Sequence, residues 1–133
     1  MNNQDFLKKL MEAFKIEAEE HLEAMTNGLI ELEQTEDADE QMEIIEVVFR
    51  ESHSLKGASR SVDMTNIETI CQSIEDVFSD LKESRMRFSH GLFDTLHSAV
   101  DVLGELLESD DGQEGQIDES KISEIQQELA NLK

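Results

Sequence analysis

At 133 residues and a formal net charge of −21, the chain has the size of one domain: enough for a single core, too little for a core plus a separate catalytic domain. That charge repels nucleic-acid phosphates and anionic lipid, which argues against a DNA, RNA or membrane-surface role and favours a basic or neutral partner. With no proline and few glycines among abundant Leu, Ile, Glu, Lys, Met and Ala, an all-α chain is expected; no apolar run approaches the roughly 18 residues of a membrane span, and the Met1 to Lys9 stretch is too polar for a signal peptide, so a cytoplasmic location is expected.

From Phe6 to about Leu32, Phe6, Leu10, Phe14, Leu22, Met25, Leu29 and Leu32 recur at helical spacing among glutamates, which predicts an amphipathic first helix with one buried stripe. Gln34 to Asp39 is an acidic connector. A second helix follows, with Ile45, Val48, Phe49, Ser52, Leu55 and Ser59 on its inner face, ending near Ser61. Thr65-Asn66-Ile67-Glu68 reads as a capping box that starts a third helix. Its seam is Ile67, Ile70, Cys71, Ile74, Val77, Phe78 and Leu81, and the periodicity fades over Glu83 to Arg87. Cys71, alone among isoleucines, reads as a buried structural cysteine.

Ser89 is the expected cap of a fourth helix carrying Leu92, Phe93, Leu96, Ala99, Val100, Leu103, Leu106 and Leu107. Glu108 to Gln116 is acidic and holds two glycines, so a loop is expected. Beyond it, Ile117 and Ile122 suit a hydrophobic staple around an Asp118 cap, with Ile122, Ile125, Leu129 and Leu132 along one side of a fifth helix. Long amphipathic helices with short connectors predict an antiparallel up-down four-helix bundle with an additional C-terminal fifth helix. The whole chain is read as one domain: a bundle over about residues 4–108, an acidic loop over 109–116 and the fifth helix over about 118–132.

The segment Arg50-Glu51-Ser52-His53-Ser54-Leu55-Lys56-Gly57-Ala58-Ser59-Arg60 concentrates base in an acidic chain. At about 100° per residue, Arg50, His53, Lys56, Gly57 and Arg60 share one exposed stripe. A neutral imidazole is a nucleophile near neutral pH without a strong activating base. A lysine one turn away offsets the charge of incoming phosphoryl oxygens, and a glycine removes a side chain that would crowd them. A helix-interior glycine costs roughly 1 kcal/mol, so it invites a reason. Spacing alone also allows an ordinary solvated face, with the glycine serving close helix packing. His21, His90 and His97 lack such surroundings and read as unremarkable.

His53-Ser54-Leu55-Lys56-Gly57-Ala58 resembles the H-S-[IL]-K-G-[GA] core of histidine-phosphotransfer domains, in the form found at the N-terminus of CheA-type chemotaxis histidine kinases. The resemblance runs on through Ile67, Ile70, Ile74 and Glu75-Asp76-Val77-Phe78. It implies His53 as phosphoacceptor, Lys56 beside the phosphoryl oxygens, Gly57 as clearance, and Glu75 as the carboxylate that binds the inner imidazole nitrogen and fixes the tautomer. Arg50, Arg60 and Gln72 are expected to border the partner. The resemblance further implies two partners, a kinase catalytic domain with bound ATP and a response-regulator receiver domain, with no cofactor or metal of the chain's own. Two positions depart from the family pattern: Gln72 stands where the family carries a second histidine, and Asp63 where a glycine is common.

No glycine-rich phosphate loop is visible, so the chain alone is not expected to bind or hydrolyse nucleotide. A stand-alone phosphotransfer protein of a multistep relay is chemically equivalent. A non-catalytic acidic helical adaptor fits the fold as well. A di-metal bundle requires paired Glu-x-x-His motifs, and none of the four histidines has a glutamate three residues before it.

Overall fold

The computed structural model describes residues 3–108 and 119–132. Its helices are α1 (Asn3–Gln34), α2 (Ala38–Ser61), α3 (Thr65–Lys82), α4 (His90–Glu108) and α5 (Glu119–Ala130). Helices α1 to α4 form the four-helix bundle, with α1 against α2 and α4, and α3 against α2 and α4; α5 docks on α3 and α4. The fold is the all-α bundle with an extra helix that the periodicity predicts. The expected staple and cap at Ile117 and Asp118, and the loop before them, lie outside the described residues.

The predicted seams of α3 and α4 are buried with few exceptions, Phe93 being partly exposed. Ile122, Ile125 and Leu129 bring α5 into the same core. The stripe of α1 is buried from Phe14 onward apart from the partly buried Leu22, but Phe6 and Leu10 are exposed, contrary to the expectation. Register explains this. Gly28 lies against Val48 and His21 against Glu51, so steps toward the start of α1 are steps toward the end of α2. Helix α2 stops at Ser61, leaving the first turns of α1 little to pack against.

Asp37 caps α2, its Oδ2 accepting from the Glu40 amide at 3.1 Å. At the other end, the Asp63 amide donates to the Arg60 carbonyl and the Met64 amide to the Ser59 carbonyl, with Asp63 at φ 60°. This is a Schellman termination, which calls for a left-handed residue at the position Asp63 holds. The same device ends α3 at Ser84, φ 61°.

The Schellman turn also overturns the predicted capping box. It draws Met64 into the core, and Met64 becomes the cap residue of α3 with no side-chain hydrogen bond. Thr65 is thereby the first residue inside the helix, and Glu68 pairs with Arg60 at 2.7 Å instead of reaching back to the cap. The Ser89 cap is present, with Oγ accepting from the Leu92 amide at 3.1 Å.

Two buried hydroxyls lie on α2. Ser59 Oγ donates to the Lys56 carbonyl at 2.9 Å and Ser52 Oγ to the Cys71 carbonyl at 3.1 Å. The second bond crosses to α3 and fixes the relative height of the two helices. Cys71 is fully buried, and burial pushes its thiol up to about 12, as suits a structural cysteine.

Two substitutions test the packing and the turn. A Cβ on Gly28 would lie 2.5 Å from Cγ2 of Val48, a buried and β-branched side chain that cannot swing aside. Gly28→Ala is therefore expected to lower the unfolding free energy by about 1 to 2 kcal/mol in a urea titration, despite alanine's better helix propensity, with partial recovery in Gly28→Ala/Val48→Ala. Asp63→Gly is expected to raise it by up to about 1 kcal/mol, by relieving the left-handed backbone and removing an anion from a helix C-terminus.

Candidate phosphoacceptor site

His53 stands on the outer face of α2 with its side chain 62% exposed, and its Nδ1 lies 3.3 Å from Glu75 Oε1 on α3. The Ser52–Cys71 tie explains the meeting. Ser52 immediately precedes His53, Cys71 lies one helical turn before Glu75, and joining the first pair sets the second side by side. The Glu75 side chain is 14% exposed, so it is held at the seam while the ring projects outward. A carboxylate only accepts. With Glu75 ionised, the hydrogen of a neutral ring belongs on Nδ1, leaving the lone pair on the outer Nε2.

Lys56 departs from its expected place. Its position falls on the exposed stripe, yet its side chain is only 13% exposed because it bends across to α3. There Nζ lies 2.7 Å from Glu75 Oε2 and donates to Gln72 Oε1 at 2.9 Å. The physical reason is the half-buried Glu75 carboxylate: Oε2 has no well-directed hydrogen bond and takes the nearest cation as an ion pair. Gln72 in turn donates from Nε2 to Asp76 Oδ1 at 2.9 Å. His53, Glu75, Lys56, Gln72 and Asp76 thus form one chain of polar contacts across the α2–α3 seam.

Gly57 lies one turn beyond His53 and is exposed. A Cβ there would meet nothing within 4 Å, so close packing inside this chain is not its reason. Arg60 is spoken for by Glu68, and Arg50 Nε donates to the Glu46 carbonyl at 3.4 Å. On the side of α2 away from Glu75, an open groove of about 520 Å³ runs between α1 and α2. Leu10, Phe14, Gly57, Ala58 and Val62 give it an apolar floor, with His53 and Glu17 at its sides.

A family model for the Hpt domain matches residues 9–133. The chain belongs to the Hpt domain family. Among similar proteins, the chemotaxis protein CheA of Borreliella burgdorferi is 30% identical over 100 residues, covering 75% of this chain and 11% of that protein. The chemotaxis protein CheA of Bacillus subtilis is 26% identical over 118 residues, covering 88% of this chain and 17% of that protein. The chain therefore spans only a small part of the length of these relatives. Its fold is that of the phosphorylated P1 domain of CheA3 in complex with CheY6 from R. sphaeroides, with a TM-score of 0.73 at 22% identity over 94% of this chain and 98% of that one. Among the described residues no helix is long and apolar enough to cross a membrane, and no group of three His, Cys, Asp or Glu side chains is arranged to hold a metal ion.

Two histidines that look unremarkable in sequence have partners on other helices. His97 of α4 pairs with Glu33 of α1. His21 of α1 is 20% exposed, with Nδ1 2.6 Å from Glu51 Oε2 on α2 and Nε2 3.4 Å from Glu17 Oε1. Both its nitrogens face carboxylate oxygens, which only accept, so the two contacts together favour the doubly protonated ring. Burial works against that charge, but hydrogen bonds to Glu51 and Glu17, reinforced by their negative charges, lift the ring above its ordinary value of 6.5. A sequence signal for this existed in part: Glu17 and His21 are spaced four apart on one helical face. The decisive partner, Glu51, is 30 residues away.

Because the folded state holds this proton more tightly than the unfolded chain, His21 stabilises the fold in full below about 6.5, and that contribution is lost as pH rises through the raised value. In urea titrations, the stability difference between the parent and His21→Gln is expected to be largest near about pH 5.5 and to shrink toward about pH 8.5. A difference that stays constant or grows with pH contradicts the charged pair.

Proposed function

We propose that this chain is a phosphocarrier of two-component signalling, in which His53 receives a phosphoryl group from ATP bound to a CheA-type kinase catalytic domain and passes it to an aspartate of a receiver domain. The observation that carries this reading is the exposed His53 ring with its inner nitrogen against Glu75 and an open Gly57 beside it. Membership of the Hpt family supports it, and the likeness to CheA proteins favours the chemotaxis form over a stand-alone relay protein. The whole chain serves as one phosphotransfer domain, and a cytoplasmic location belongs to the same reading.

In the first step the Nε2 lone pair attacks the γ-phosphorus in line with the bond to the β-phosphate oxygen. The N–P bond forms, the P–O bond breaks, and ADP leaves with the electron pair. No proton has to move. Nδ1 keeps its hydrogen, the ring becomes cationic, and the Glu75 carboxylate across the hydrogen bond stabilises that charge, as an orienting carboxylate does in a catalytic triad. In the second step a carboxylate oxygen of the receiver attacks phosphorus and the pair returns to Nε2. The catalytic machinery for both steps belongs to the partners, and this chain supplies a nucleophile, its tautomer and room for approach.

Lys56 contributes its charge by one of two positions. It balances Glu75 while the ring is unmodified, and its flexible stem allows it to turn toward phosphoryl oxygens once they are present. The apolar groove between α1 and α2 suits a receiver that docks beside the acceptor, and the neighbour's complex with CheY6 supports a receiver as the partner. Gln72, Arg50 and Arg60 border the same face.

The test is incubation with a CheA-type catalytic domain and labelled ATP. Label is expected on the parent chain, lost in acid and stable in base as a phosphoramidate, then discharged on adding a receiver domain; His53→Gln is expected to take none. Glu75→Ala is expected to slow labelling by roughly tenfold or more while leaving the site of labelling unchanged, through loss of tautomer control. Label that persists in His53→Gln, or a parent chain that takes none from any CheA-type domain tried, overturns the assignment.

A further inference from the structure

His21 lies on α1, outside the polar chain that joins His53 to α3, yet its two partners flank the acceptor. Glu17, on α1, lines the same groove as His53. Glu51 precedes His53 by two residues and lines, with His21, Arg50 and Ser54, a recess on the α1 side of α2. Left unpaired, each carboxylate is free to swing over the surface that a dianionic phosphoryl group approaches, in a chain already at −21. The imidazolium instead ties them to itself, at 2.6 Å from the partly buried Glu51 and 3.4 Å from Glu17, which stays exposed at the groove.

We propose that His21 is a positioning residue for transfer at His53, its imidazolium pairing with Glu51 at the α1–α2 seam and with Glu17 at the groove and so offsetting the charge of two carboxylates beside the approach to the acceptor. This rests on the phosphocarrier reading above and adds a residue to it. The groups facing the ring are Glu17 from α1, and Glu51 and Arg50 from α2; α4 meets α1 through Gly104 beside Leu22. Arg50 is directed to the Glu46 carbonyl, so the ring is the cation within hydrogen-bond distance of both Glu17 and Glu51.

The device acts on encounter, not on the bond-making step. Exposed charges separated by more than a Debye length, about 10 Å at 0.1 M salt, are largely screened in open water, and charges beside the acceptor matter more once a docked partner excludes solvent. The effect therefore falls on KM for the partner, with kcat little changed. It also depends on pH in a way a packing residue does not, because deprotonating the ring releases both carboxylates. The raised proton affinity of His21 extends the charged form of the device above the ordinary imidazole range.

The experiment measures initial rates of His53 labelling by a CheA-type catalytic domain with ATP, and of discharge to a receiver domain, from about pH 6 to about pH 9. His21→Gln is expected to lower kcat/KM about threefold near pH 7, through KM. His21→Arg, which keeps a cation at every pH used, is expected to match the parent near pH 7 and to lose less than the parent as pH rises. Glu17→Gln/Glu51→Gln added to His21→Gln is expected to restore the parent rate.

A His21→Gln chain with unchanged melting behaviour, parental kcat/KM and a parental pH profile overturns the proposal. So does a loss that persists when both glutamates are also replaced. Should His21→Gln fail to fold, the pH profile of His21→Arg decides: one superimposable on the parent's overturns the proposal. Failure of the parent chain to label at His53 at all is a separate result, which removes the phosphocarrier reading itself.

Discussion

The site depends on the height of α2 against α3, and one buried hydrogen bond sets that height. Ser52 Oγ to the Cys71 carbonyl is a tie that crosses between these helices inside the core, at 3.1 Å. Sliding α3 by one residue would break that bond, at a net cost of roughly 0.5 to 1.5 kcal/mol, and would also rotate the α3 seam out of register with the core. The surface contact between His53 and Glu75 is long and exposed, and weak by itself. It is held by the buried bond one residue away on α2 and one turn away on α3. Stability and site geometry are thus supplied by different residues on the same pair of helices.

Charge is arranged on the same principle. A chain at −21 has few cations to place, and near the acceptor three of them meet carboxylates: Lys56 meets Glu75, Arg60 meets Glu68 and the His21 ring meets Glu51 and Glu17, while Arg50 turns to the Glu46 carbonyl. These contacts neutralise carboxylates that would otherwise face the same surface. The consequence is that carboxylates around the acceptor are paired although the body is strongly acidic, which suits a site that must be approached by a group carrying negative charge.

Helical period was enough to read the bundle, because the seams of α3 and α4 alternate apolar and polar residues without a break and no proline or strand-forming cluster competes. Turns were less legible. Thr65-Asn66-Ile67-Glu68 has the composition of a capping box, but whether it caps depends on how α2 stops, and that is decided by Asp63 adopting a left-handed backbone that its residue type does not demand. The exposed start of α1 has the same origin: Phe6 and Leu10 obey the period, and the end of α2 at Ser61 leaves them little cover among the described residues. In the site, positions on α2 were readable from spacing, whereas the direction of the Lys56 head group was not, since a four-carbon stem follows its partner on α3 and not its own helical angle. His21 escaped for a like reason. Half of its environment lies four residues away on its own helix, and the half that fixes its charge comes from another helix.

The two helix-interior glycines on the α1–α2 pair separate fold from function by a simple comparison. Each forgoes roughly 1 kcal/mol relative to alanine in a helix. At Gly28 the return is internal: the backbone of α1 approaches Val48 so closely that a Cβ would sit 2.5 Å from its methyl. At Gly57 a Cβ would touch nothing within 4 Å, so no contact inside the chain compensates for the lost helix propensity. A residue that weakens its helix without helping the packing is explained by something that arrives from outside. The open space at Gly57 borders the exposed His53 ring and the apolar groove, which is where an incoming phosphoryl group and the domain carrying it need room.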